Sequence, residues 1–132
     1  MNPLRGEAPL ILGKGEAAIR LTLKMGVNAL CAAEPMLGKK SRAILDDLED
    51  PHSGPALDTI RVLIWAGLRK HHPDYHLYQV GELIEEYGPA IFNVAILAGL
   101  ASAFGTAEER KPPNPTDAKV KTKAKQKKTG TG

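Results

Sequence analysis

Three histidines, His71, His72 and His76, lie within six residues, and an imidazole cluster of that density is the residue pattern here most able to do chemistry. Neutral imidazole ligates metals and shuttles protons near neutral pH. A zinc site, however, needs three or four ligands converging at about 2 Å, commonly with paired cysteines, and a metalloprotease helix needs a glutamate between two histidines four apart. Cys31 is the only cysteine, and no HEXXH pattern occurs. His72 and His76 are four apart, but Pro73 forces the residue before it out of the α region, so the spacing loses its helical meaning. The cluster reads as a joint between two helices. His71 or Lys70 then faces the negative end of one helix, and Asp74 caps the next, beginning near Tyr75.

The other reactive types read in the same way. Asp46, Asp47, Glu49 and Asp50, and later Glu82, Glu85 and Glu86, fall where solvated helix faces are expected. Cys31 sits on an apolar face with no adjacent base or cation to activate it, so it reads as a small core residue. The run GKGEAAIR has neither the spacing nor the terminal Lys-Ser or Lys-Thr of a phosphate loop. The expectation is a protein that is not an enzyme and holds no metal and no cofactor, acting instead by surface contact.

The 132 residues allow one modest core. A net charge of +3 conceals an asymmetry: residues 110–132 carry eight Lys or Arg against one acid, and residues 1–109 carry ten against fourteen. The basic stretch KVKTKAKQKKTGTG lacks aromatic residues that could stack on bases, so it is read as a disordered tail with only non-specific, salt-sensitive attraction to nucleic acid. The unpaired cysteine suits a reducing, cytoplasmic setting. The longest apolar run, PAIFNVAILAGLASAFG, is interrupted by Asn93 and Ser102 and is short of the roughly 20 residues that cross a bilayer, so no membrane association is expected.

The elements that must position these residues follow from periodicity. Two apolar runs separated by GKGE, with Ile19, Leu21 and Leu23 alternating against Arg20, Thr22 and Lys24, predict a hairpin with one covered face and an edge open to another chain. From Val27 the period becomes helical, with Val27, Leu30 and Cys31 on one side until Pro35 disturbs the ladder. A second helix is expected from Ser41 as N-cap. A third, from about Ala56 to Lys70, is apolar over more than half its circumference and is expected to be central. A fourth carries Leu77, Val80, Leu83, Ile84 and Tyr87, ends at Gly88, and hands over to a fifth through Pro89. That last helix, residues 89–104, is apolar nearly all round and demands cover on several sides.

The fold class is therefore α+β, mainly α. A short N-terminal β-hairpin packs on a bundle of four to five helices within residues 1–105, and residues 106–132 form a disordered basic tail. Trp65, beside the small Ala66 and Gly67, is read either as core or as an anchor for a partner. Trp65, Ile96, Leu97, Leu100 and Phe104 are the candidate partner-binding residues, and self-association into a homo-oligomer is a further expectation.

The order LRGE, hairpin, NALCAAE, LDDLED, IRVLIWAGLRKHHPD, GELIEEYG and a last helix ending LASAFG resembles a family of small proteins encoded among the tail genes of gene transfer agents and siphophage-like prophages. The resemblance covers about residues 4 to 105. The pattern residues present here are Arg5, Gly6, Glu7, Asn28, Glu34, Trp65, Gly67, Leu68, His72 and Pro73. Pro35 and the basic tail depart from the pattern. The resemblance implies a phage tail assembly chaperone for a long non-contractile tail, with the tape measure protein and tail tube subunits as partners. A structural component retained in the tail, for which the family also carries the label tail tube protein, and a small nucleic-acid-binding protein acting through its tail are the two alternatives.

Overall fold

A computed structural model describes residues 5–105. The expected disordered tail, residues 106–132, lies outside them. The elements are β1 (Glu7–Leu12), β2 (Ile19–Lys24), α1 (Val27–Leu37), α2 (Ser41–Leu48), α3 (Leu57–Leu68), α4 (Leu77–Tyr87) and α5 (Pro89–Phe104), with a 3-10 turn at Gly15–Ala17 between the strands. This is the expected short hairpin on a bundle of five helices.

β1 and β2 pair antiparallel, with Ala8 opposite Leu23, Leu10 opposite Leu21 and Leu12 opposite Ile19. Alternation puts Ala8, Leu10, Leu12, Leu21 and Leu23 on one buried face. Two strands cannot hold themselves in water; here α3 and α5 supply the cover. α3 is the central element: it packs on α1, α4, α5 and β2 and buries Ile60, Val62, Leu63, Ile64 and Leu68. Met25, fully buried, leaves β2 between Gly67 of α3 and Gly99 of α5, and a Cβ at either glycine would stand 2.6 Å or 2.5 Å from its side chain. The two glycines exist because the methionine occupies the space a side chain would need.

Several local expectations are corrected. α1 runs through Pro35 to Leu37 and closes at Gly38 in the left-handed conformation, whose N–H donates to the Glu34 carbonyl at 2.8 Å. A proline in the last turn removes only one intrahelical donor, so the helix survives it. Cys31 is exposed rather than core, because the buried face of α1 is Ala29, Leu30 and Ala33. Val27 also faces outward. Lys40, and not Ser41, is the N-cap of α2. The N-cap of α4 is His76, whose N–H donates to Gln79 Oε1 at 3.2 Å, in place of Asp74.

Glu34 joins α1 to α2. Its Oε2 accepts from Ser41 Oγ at 2.6 Å and from Ser41 N at 2.9 Å. The Ser41 hydroxyl, then its N–H, with Lys40 adding attraction, hold this carboxyl below the usual glutamate range against a smaller opposing effect of burial. A depressed folded pKa contributes stability above the unfolded value of about 4.3 and loses it as pH falls through the folded value. Glu34→Gln is therefore expected to lower the melting temperature at neutral pH, with the gap to the parent closing in acid below about pH 4. A gap that stays constant through that window contradicts the assignment.

Candidate functional site

The three histidines do not converge. His71 Nε2 lies 2.8 Å from Glu7 Oε2 on β1, and His72 Nε2 accepts the Thr22 N–H of β2 at 3.0 Å. His76 caps α4. Among the described residues no group of three His, Cys, Asp or Glu side chains is placed to hold a metal ion. The first two histidines instead clamp the α3–α4 connection onto both strands.

The clamp changes the reading of the hairpin edge. Met25 N–H donates to the Gly6 carbonyl at 2.7 Å, so alternation along the ladder makes Pro9 and Thr22 a pair whose backbone groups point outward. On the β1 side Pro9 has no N–H to offer, and on the β2 side the Thr22 N–H is taken by His72. Both edges are interrupted at their middle, a common defence against strand addition. The edge expected to be open to another chain is thus obstructed. His72→Ala leaves Thr22 without its partner and is expected to cost about 1 kcal/mol, read as a lower denaturation midpoint, and to raise self-association in sedimentation. An unchanged midpoint and an unchanged monomer would remove this role.

Five of the ten residues that carry the resemblance, Arg5, Gly6, Glu7, Gly67 and His72, hold the N-terminal hairpin to the helices. Arg5 Nε donates to the Ala103 carbonyl at 2.8 Å and Gly6 N–H to Ser102 Oγ at 2.9 Å. Glu7 meets His71, Glu34 meets Ser41, and His72 meets Thr22. Gly67 admits Met25, and Leu68 is core. Asn28 and Pro73 are exposed. Asp47, read from sequence as part of a solvated face, accepts from Thr59 Oγ1 at 3.1 Å and Ala56 N at 3.3 Å and ties α2 to the start of α3. An acid preceding a Pro-Gly turn by several residues gives no sequence signal of such a contact.

The five candidate partner-binding residues separate. Ile96 and Leu100 are 0% and 2% exposed and belong to the core, because they lie on the side of α5 that faces α3 and the hairpin. Trp65 is half-buried against that core with the Arg69 guanidinium 4.9 Å from its ring. Phe104 is half-buried at the other end of α5, in a groove of about 390 Å³ shared with Arg5, Lys24 and Val27. Leu97, at 36%, is the most exposed of the five.

Leu97 belongs to a larger surface that residue-by-residue choice missed. Ile91 is 40% exposed, Val94 66% and Leu97 36%, and Ala90 and Ala98 are exposed beside them. With half-buried Ala101 they cover an arc of about 120° along about 16 Å of helix. No residue of α5 is charged, and its only polar side chains are Asn93 and Ser102. At its Pro89 end the arc meets a groove of about 550 Å³ lined by Leu57, Ile84 and Gly88, with Asp58, Arg61 and Glu85 at its borders. Leu57 itself is 63% exposed. The sequence signals a helix apolar on every side, but which side remains uncovered depends on tertiary packing.

No described helix is by itself long and apolar enough to cross a membrane; α4 and α5 together have the composition, but they meet at 117°. No family model matches the chain, and comparison finds no similar curated protein and no similar solved structure.

Proposed function

We propose that this chain is a transient assembly chaperone of a long non-contractile tail, holding apolar helical segments of a tape measure protein and unassembled tail tube subunits before the tail is complete. The observation that carries the reading is the outer arc of α5, an uncharged helical face left in water while the opposite face fills the core. A surface of this kind suits an amphipathic client helix laid across it with anchors at helical spacing. The small Ala90 and Ala98 between Ile91, Val94 and Leu97 let a client backbone approach closely. The adjoining groove at Leu57 and Ile84 extends the contact beyond one helix.

The resemblance of residues 4 to 105 to tail assembly chaperones supports the same reading and supplies the identity of the client. The reading requires no cofactor, metal or bond chemistry: the client is shielded by apolar contact and released when tube subunits offer competing contacts. A tube component would have to extend its sheet, and the two strands described have both edges interrupted.

Coexpression with a tape measure protein of a long non-contractile tail tests the reading. This chain is expected to raise the soluble yield of the tape measure protein, to co-purify with it from cytoplasmic extracts, and to be missing from mature particles. Stoichiometric retention in finished tails would favour a structural component, and no effect on the tape measure protein would remove the chaperone reading.

A further inference from the structure

The outer side of α4 carries a second, chemically different groove. It has a volume of about 610 Å³, with Ile19, Tyr75 and Leu83 supplying an apolar floor and Glu82, Glu85 and Glu86 a charged rim. Two ion pairs occur among the described residues, Arg61 with Asp58 and His71 with Glu7, and neither involves these three carboxylates. Other acids on the body are engaged locally, Asp47 with Ala56 and Thr59 and Asp50 with His52 and Ser53. The α4 rim is thus a concentrated negative charge beside an apolar surface, with no cation among the described residues paired to it.

We propose that this groove is the intramolecular dock of the chain's own segment Lys119–Lys127, which lies outside the described residues. Its sequence, KVKTKAKQK, places a lysine at every second position. In an extended conformation alternate side chains share one face at a spacing of about 6.6 Å. Glu82, Glu85 and Glu86 stand at i, i+3 and i+4 on α4, where neighbouring Cβ atoms are about 5–6 Å apart. In the proposed dock one lysine therefore meets Glu82 and the next on the same face meets the side-by-side Glu85 and Glu86, one turn on, with the methylene stems on Ile19, Leu83 and Tyr75 and the ammonium groups at the rim.

Reach and charge both favour the chain's own tail as the occupant. The Gly6–Met25 end of the hairpin is tied to the last turn of α5 through Ser102, so Gly105 leaves the body there. Ile19 pairs with Leu12 at the opposite end, about 20 Å away at strand spacing. Lys119 stands fourteen positions beyond Gly105 in sequence, and such a link extends to about 46 Å. Residues 110–132 carry eight Lys or Arg against one acid, whereas residues 1–109 carry fourteen acids against ten Lys or Arg. Docking covers the charges that would otherwise attract polyanions. It leaves the α5 arc free, and of the dock's lining only Glu85 also borders the groove at Leu57 and Ile84.

Zero-length carbodiimide cross-linking of the full chain at low salt, followed by peptide mass spectrometry, tests it. Amide links are expected between lysines of 119–127 and Glu82, Glu85 or Glu86, with loss of those links at about 1 M salt, where the Debye length falls to about 3 Å. In a mixture of isotopically light and heavy chains the links are expected within one chain. Links spread evenly over exposed acids such as Asp46 and Asp74, links only between light and heavy chains, or no links to the α4 rim would each overturn the proposal.

Discussion

Replacing Gly6 by alanine is expected to lower the unfolding midpoint by more than about 10 °C. Gly6 has φ +87°, a conformation that costs an L side chain on the order of 1–3 kcal/mol. A Cβ there would also stand 2.1 Å from the Met25 carbonyl oxygen and 3.4 Å from Ala103 Cβ. The oxygen cannot retreat cheaply, because the Met25 N–H is bonded to the Gly6 carbonyl and the Met25 side chain is wedged between α3 and α5. Overpacking of this type adds on the order of 1–3 kcal/mol. A combined loss of about 3 kcal/mol moves the midpoint of a domain this size by about 12–24 °C. Gly15, at φ +67° with no atom within 4 Å of where a Cβ would stand, is the control, and alanine there is expected to cost about 1 kcal/mol. Equal small effects at the two positions, followed by circular dichroism, would show that the Gly6–Met25 joint does not hold the hairpin.

The second large effect is on client capture with the fold intact. Val94→Glu combined with Leu97→Glu places two carboxylates on the outer arc of α5, where both positions already face solvent. Melting is expected to stay within a few degrees of the parent, since exposed substitutions typically change stability by no more than about 0.5 kcal/mol each. Capture of an apolar helix loses the burial of two side chains and must desolvate two charges, a deficit of about 3 kcal/mol and thus about a hundredfold in affinity. Ile96→Ala is the opposite case: it opens a cavity in the core and is expected to cost about 2–5 kcal/mol of stability. If the double glutamate variant captures the tape measure protein as well as the parent does, the arc is not the docking surface.

The contrast between Ile96 and Val94 also shows where sequence reasoning stops. The switch from alternating Ile19, Leu21 and Leu23 to helical spacing at Val27 is legible because period directly encodes which backbone buries one face. So are Gly88 and Pro89, whose backbone restrictions mark the end of one helix and the start of the next. α5 has no polar face to orient it, so periodicity cannot distinguish core Ile96 and Leu100 from exposed Ile91 and Val94. Pro35 reads as a break because the rule concerns helix interiors, yet it sits in a last turn closed by Gly38. The links of His72 to Thr22 and of Arg5 to Ala103 join residues 50 and 98 positions apart, and no local pattern encodes such pairings. For that reason the histidine cluster is recognisable as a joint, while the strands it clamps are not.

Methyl-resolved nuclear magnetic resonance of the full chain, titrated with an apolar helical segment of the tape measure protein, is the most direct measurement of the central claim. The account predicts that the methyl signals of Ile91, Val94 and Leu97 shift and show intermolecular contacts, with Leu57 responding at the adjoining groove. Core methyls of Ile44, Leu12 and Leu63, all fully buried, are expected to hold their positions. Perturbation centred instead on Ile11 and Met36, exposed apolar side chains outside the arc, or saturation of the titration with no change at the arc, would contradict it.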